Sequence, residues 1–226
     1  MKKFIKVLSL FLIVGVLLCG CDNEEKKVEE NKPQEVETNY EKNITTTEVS
    51  MFTGEFGDKY VVLKSTNNND IPVYINYSFE MFDSNKEKMY NKEVLVRVGS
   101  HDVAYVVAIQ DLEEKSFDSY TYTYKVLDDK LEGYDLIKNG VKLESKNTGS
   151  KVVVTFNNTG NRTTTAYAYV FFYKNNKLVA VKDAISYNLV PFKIDNVDVD
   201  YPIKTVNEKI SFDKIAVVLN EVSTEL

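Results

Sequence analysis

Cysteine is the first thing this chain lacks. Its 226 residues hold two, Cys19 and Cys21, so nothing after residue 21 can close a disulfide and the fold must rest on packing alone. Histidine is nearly as scarce. His101 stands alone, and one imidazole with no cysteine beside it cannot build a structural zinc site. Basic blocks are missing too. Twenty-eight Lys and Arg stand against 34 Asp and Glu, a net charge of −6, with no cluster to grip phosphates. That argues against nucleic acid and against a polybasic hold on anionic lipid. No stretch after residue 43 carries an apolar stripe at helical spacing, so few helices are expected.

What is present begins at the amino end. Lys2 and Lys3 precede the apolar run Val7–Leu18, and Cys19-Gly20 supplies small residues at a cleavage point, the pattern of a removable signal over residues 1–20. Twelve apolar residues fall short of the ~20 needed to span a bilayer. Loss of Lys2, Lys3 and Lys6 with the signal would move the charge to −9, 25 basic against 34 acidic residues. Residues 21–43 read as a tether. Asp22–Asn43 carries eight acidic and four basic residues with little to bury, so ordering it would not be offset. Its flexible reach is roughly 25 Å.

From Ile44 the period is two. Thr, Val, Tyr, Phe and Ile alternate with Asn-rich punctuation about every ten residues, which predicts an all-β sandwich or barrel. The pattern is also duplicated. Tyr60-Val61-Val62-Leu63-Lys64 leads into Thr66–Asp70 as Lys151-Val152-Val153-Val154-Thr155 leads into Asn157–Asn161. Tyr77–Phe82 turns at Asp83–Lys86 as Ala168–Tyr173 turns at Lys174–Lys177. Both pairs are 91 residues apart, whereas Ser116-Phe117-Asp118 and Ser211-Phe212-Asp213 are 95 apart, the drift of a short insertion. The expected organisation is two tandem immunoglobulin-like β-sandwiches, residues 44–127 and 128–226, after the signal and tether. Ala166, Ala168, Val170 and Phe172 are expected to point to one side of a strand, and Asn139-Gly140 reads as a type I′ hairpin turn.

Leu18-Cys19-Gly20-Cys21 resembles the lipobox of bacterial lipoproteins. The resemblance implies a diacylglyceryl thioether on Cys21, cleavage before it, and a place on the extracytoplasmic face of the cell membrane. Two acyl chains anchor stably where one does not. Phe79-Glu80-Met81-Phe82-Asp83 resembles the signature of the FxLYD-type domain of extracytoplasmic lipoproteins, with Val170-Phe171-Phe172-Tyr173-Lys174 as a looser second copy lacking the final Asp. That family implies a β-sandwich at the cell envelope; it does not imply a catalytic activity. The Pro-Gly-Glu loop often found in such domains is absent, with Val98-Gly99-Ser100 and Val190-Pro191-Phe192 near its place.

Candidate chemistry is thin. Ser100-His101-Asp102 holds the residue types of a nucleophilic triad without the constrained serine turn or oxyanion motif, and reads as a surface loop. Asp195, Asp198 and Asp200 form a weak calcium candidate with no glycine to make a tight loop, and their alternation with valine reads as a strand with a solvated face. Asp111, Glu113 and Glu114 read as a polar connection, and Asp128-Asp129 as a hinge. No cofactor is expected. Two tyrosine rows carry the binding reading: Tyr120, Tyr122 and Tyr124 in the first half, and Tyr167, Tyr169, Phe171 and Tyr173 in the second. Exposed, such rows would bind an envelope protein or stack on a glycan; alternatively they are core, or lie on central strands covered on both faces. The function expected is a non-enzymatic, lipid-anchored binding or scaffolding protein. The alternatives are an envelope hydrolase with an unrecognised site and a solute-capturing lipoprotein.

Overall fold

Alternation of apolar and polar side chains lets an extended chain bury one face, and that pattern runs through nearly every element of the computed structural model. The structure describes residues 39–110, 115–127 and 131–224. The signal, Cys21 and the tether up to residue 38 lie outside the described residues, as do Asp111, Glu113, Glu114, Asp128 and Asp129. Among the described residues no helix is long and apolar enough to cross a membrane.

The chain is all-β. The first sandwich is built from β1 (Ile44–Thr53), β2 (Lys59–Asn67), β3 (Val73–Phe82), β4 (Lys88–Val98), β5 (Val103–Ile109) and β6 (Ser119–Leu127). One sheet has the order β1-β2-β5 and the other β4-β3-β6, with every neighbouring pair antiparallel. The second uses β7 (Val141–Asn147), β8 (Lys151–Asn158), β9 (Thr164–Lys174), β10 (Lys177–Leu189), β11 (Ile194–Asp200) and β14 (Lys214–Thr224). A small hairpin of β12 (Ile203–Thr205) and β13 (Glu208–Lys209) interrupts it. Its sheets run β7-β8-β11 and β10-β9-β14, so the two halves share one topology strand for strand. That hairpin explains the change of spacing: nine residues join β5 to β6, and thirteen join β11 to β14.

The duplication reaches individual hydrogen bonds. Asn67, fully buried, donates through Nδ2 to the carbonyls of Ile71 and Gly99 at 2.8 and 2.9 Å and accepts from the Asn69 amide at 3.0 Å. Asn158, 91 residues on, donates to the carbonyls of Arg162 and Leu189, each at 2.8 Å, and accepts from the Gly160 amide at 3.0 Å. The Asp118 amide donates to the Phe82 carbonyl, and the Asp213 amide to that of Tyr173, both at 2.8 Å. A short helical turn precedes each first strand: a 3-10 turn at Tyr40–Asn43 and helix α1 at Tyr134–Asn139.

Turn chemistry corrects one expectation. Asn139-Gly140 makes no hairpin. It closes α1, and Gly140 has a right-handed φ of −73°. A Cβ there would stand 3.2 Å from Cα of Gly160, so the glycine serves close backbone approach. The hairpin joining β9 to β10 turns at Asn175-Asn176, both at positive φ (50° and 61°), which asparagine tolerates. At the matching turn of the first half, Asp83 Oδ1 accepts from the amides of Asn85 and Glu87, the local bonding that suits aspartate to turns.

Each sandwich has its own core. Ile75, Tyr77, Phe79 and Met81 of β3 pack on Val61, Leu63 and Val106 in the first. In the second, Ala166, Ala168, Val170 and Phe172 share one side, and that side is the inward one, against Val152, Val154 and Phe156. A third core was not anticipated. Tyr60 and Val62 of β2 and Val107 of β5 meet Tyr169 and Phe171 of β9 and Leu178 and Val181 of β10. The outer face of sheet β1-β2-β5 thus lies on the outer face of β10-β9-β14. The result is a four-layered stack, and Thr38–Leu226 forms one compact unit rather than two loosely strung beads.

Side chains pin this joint around its margin. Arg97 pairs with Glu221, which also accepts from the Arg97 amide. Lys138 reaches Asp102 at 2.6 Å, and Asp135 accepts from the amide and hydroxyl of Ser100. Elsewhere on the joint Glu55 pairs with Lys182 and accepts from the Ile203 amide. A bulge in β14 frees Asn220 to bond Tyr105 twice, accepting from its amide at 2.6 Å and donating to its carbonyl at 3.1 Å. The side-chain amide there imitates a neighbouring strand along the open edge of β5.

Candidate functional site

A strand two residues per repeat puts Tyr120, Tyr122 and Tyr124 on one face, and register decides which. They lie opposite Met81, Phe79 and Tyr77, all buried, so the rings turn inward and rest half-buried along the margin of the first core. Ring centroids stand 6.1 Å apart for Phe79–Tyr120 and 5.5 Å for Tyr77–Tyr124. The Tyr120 hydroxyl donates to Glu48, and that of Tyr124 to the Ile44 carbonyl at 3.3 Å. This row closes the seam between β6 and β1. It is not an open binding face, and the outward side chains are Thr121, Thr123 and Lys125.

The second row divides. Phe171 (1% exposed) and Tyr169 (8%) are covered by the first sandwich, which removes them as open surface. Both faces of β9 are buried because two sheets flank it, one of the readings left open by the sequence. Tyr173 is half-buried, with the Lys214 ammonium 5.6 Å from its ring centroid. Tyr167 is half-buried too, edge-on to Tyr169 at 5.0 Å, and it opens into a crevice along the flank of the joint.

That crevice has a volume of about 340 Å³ and is open to solvent. Its aromatic walls are Tyr105, Tyr167, Tyr169 and Tyr187; Leu95 and Ile185 add aliphatic surface, and Asn220 and Glu221 are among its polar groups. Tyr187 and Leu95 are exposed at 69% and 53%, unusual for such side chains. Sequence reading reached Tyr167 and Tyr169 but missed the others. Tyr105 sits in the apolar run Val103–Ile109, and Tyr187 falls beside the register shift between Ser186 and Leu189, so neither shows in an alternation pattern. A larger apolar hollow of about 530 Å³ lies among Tyr40, Ile71, Leu127, Leu131 and Leu136.

Burial holds many tyrosine hydroxyls protonated. Tyr167 and Tyr169 are pushed far up, first by desolvation, with Tyr169 and the Asp183 carboxylate adding to it for Tyr167. Tyr60 in the joint is raised to about 12 by burial and then by Glu55, Asp58 and Asp183. Because the folded form holds these protons more tightly than the unfolded one, their contribution is intact below about pH 10 and lost as pH rises through the folded values. Absorbance at 295 nm should therefore show delayed ionisation of a tyrosine subset, ending in a steep step that coincides with loss of β-sheet ellipticity near or above pH 12. Smooth ionisation centred on pH 10 would contradict the buried environment.

The triad letters do not converge. Ser100 donates to Asp135, His101 Nε2 lies 2.8 Å from Asp70, and Asp102 holds Lys138. His101 is exposed, at a φ of 50° in the turn before β5. The calcium candidates are split by their strand. Asp195 accepts from Ser186 on the inner side, whereas Asp198 and Asp200 face outward and Asp198 pairs with Lys151. Among the described residues no three His, Cys, Asp or Glu gather as a metal group.

An all-β, sandwich-type envelope around an open tyrosine crevice is the class the structure defines. No family model matches the chain, and no curated protein does. Among solved structures, it is similar to red sea bream transglutaminase at 10% identity and a TM-score of 0.26, covering 70% of this chain and 27% of that one. The CupB2 chaperone of Pseudomonas aeruginosa aligns at 14% identity and 0.22, covering 72% and 92%. A chain from a chaperone–tip adhesin complex of CFA/I fimbriae biogenesis aligns at 10% and 0.23, covering 81% and 98%.

Proposed function

We propose that this protein is held on the extracytoplasmic face of the cell membrane by lipid on Cys21 and acts there as a non-enzymatic binding or scaffolding module. Lys2, Lys3, the apolar run and Leu18–Cys21 support the anchor, and the acidic segment behind them supplies the reach. The binding half of the reading rests on one observation. The joint between the sandwiches fixes them as a single body and leaves a tyrosine-walled crevice open on its flank. A preformed concave surface with aromatic walls recognises a partner without the entropic cost of ordering a loop. The separate partners of Ser100, His101 and Asp102 give a hydrolase no assembled nucleophile.

Cys21→Ala is expected to abolish incorporation of radiolabelled palmitate and to move the protein from the membrane fraction to the soluble one. Label retained in that variant removes the anchor. A photo-reactive residue placed at Leu95, on the crevice rim, should cross-link in intact cells to one discrete envelope component. A smear no different from that of a residue placed at Thr123 removes the binding reading.

A further inference from the structure

The chemistry around the crevice narrows what it can take. An anionic ligand would find no Lys, Arg or His among the described residues that line it, and Arg97, beside Glu221, is engaged by that carboxylate and by the Tyr74 hydroxyl at 2.5 Å. Asp183 beside Tyr167 makes the surroundings more negative still. An extended peptide would bind by adding a strand, through main-chain bonds to an open edge. At two points beside the crevice those bonds are already taken. Asn220 occupies the amide and carbonyl of Tyr105 in β5, and Glu221 occupies the amide of Arg97 in β4. What the crevice still offers is aromatic and aliphatic surface with hydroxyl and amide groups at its edge.

We propose that the tyrosine crevice is a binding site for a neutral oligosaccharide, with sugar rings stacked against Tyr187 and Tyr167 at the flank of the joint. A pyranose ring has an apolar C–H face and a rim of hydroxyls, complementary to tyrosine faces bordered by polar groups. The site is open rather than enclosed, so a polymer can lie across it with its ends in solvent. The proposal deepens the binding-module reading and rests on it.

The test uses the full-length chain in detergent, titrated separately with cellotetraose and with the β-1,4-linked tetramer of N-acetylglucosamine. A hyaluronan tetrasaccharide serves as the anionic control. Calorimetry reads affinity, and because the chain has no tryptophan, a ligand-dependent change in tyrosine emission that is lost in Tyr187→Ala singles out the crevice among the 15 tyrosines. At least one neutral tetramer should bind with a Kd below about 1 mM, and Tyr187→Ala should weaken it by about tenfold or more. Tyr187 is largely exposed, so the melting temperature of that variant should stay at the wild-type value. Tyr167→Phe, which keeps the ring, should retain stacking. The proposal is overturned if neither neutral tetramer binds, if Tyr187→Ala leaves affinity unchanged, or if the anionic control binds equally well. A discrete protein cross-link from position 95 with no glycan binding would leave the binding-module reading standing and sink this one alone.

Discussion

Replacing Phe171 with alanine should lower the free energy of unfolding by about 3–5 kcal/mol, the range for a large buried aromatic. The ring is 1% exposed, tilted against Tyr105 at 4.8 Å and against Tyr169 at 5.8 Å. It is not in either sandwich core. It sits in the joint, so its loss tests whether the joint carries stability. The cavity left behind should collapse poorly, because Arg97–Glu221 and Glu55–Lys182 pin the two sandwiches in place around it. Urea unfolding followed by circular dichroism gives the number. A loss below about 1 kcal/mol would mean that the layers slide or part freely. A second, earlier transition in the variant would mean that the sandwiches have been uncoupled and melt in turn.

Asn67→Ala and Asn158→Ala should each cost about 3 kcal/mol or more, and by similar amounts. Each side chain satisfies buried main-chain groups on both sides of a strand connection, and an orphaned buried donor or acceptor costs about 1–3 kcal/mol. Asn67 also accepts from Nδ2 of Asn69 at 2.8 Å, while Asn158 lies against Gly160 at the matching place. The first variant should therefore lose somewhat more. Thermal melts of the two single variants and the double variant decide it. Unequal effects, one large and one negligible, would show that the repeated geometry is not repeated in energy. Strict additivity in the double variant would fit two sites in separate sandwiches.

The fold class was legible because β-strands advertise themselves by a period of two, and the duplication because Asn-rich turns recur at one spacing. Tyr77–Phe82 and Ala168–Tyr173 occupy matching central strands, and the 95-residue interval marks an insertion now seen as the β12–β13 hairpin. The Asn139-Gly140 turn misled, since the same dipeptide can close a helix at ordinary right-handed φ, the glycine serving close backbone contact instead. The tyrosine rows were found but not placed. Alternation tells which residues share a face; it says nothing of whether another sheet lies on that face. Val62 and Phe171 met across a joint between residues more than a hundred positions apart, beyond any local pattern. Tyr105, Tyr187 and Asn220 belong to the site only because the sandwiches lie against each other.

The Asn220 bulge carries a consequence for ancestry and handling. Duplicated domains usually become portable parts, free to be shuffled, truncated or expressed alone. Here one copy holds the stopper for the other's raw strand edge and the cover for its greasy outer sheet. Cutting the gene between the repeats would release a half with a sticky flank, prone to stack on its siblings. The unit that heredity can move, and that a laboratory can safely produce, is the pair.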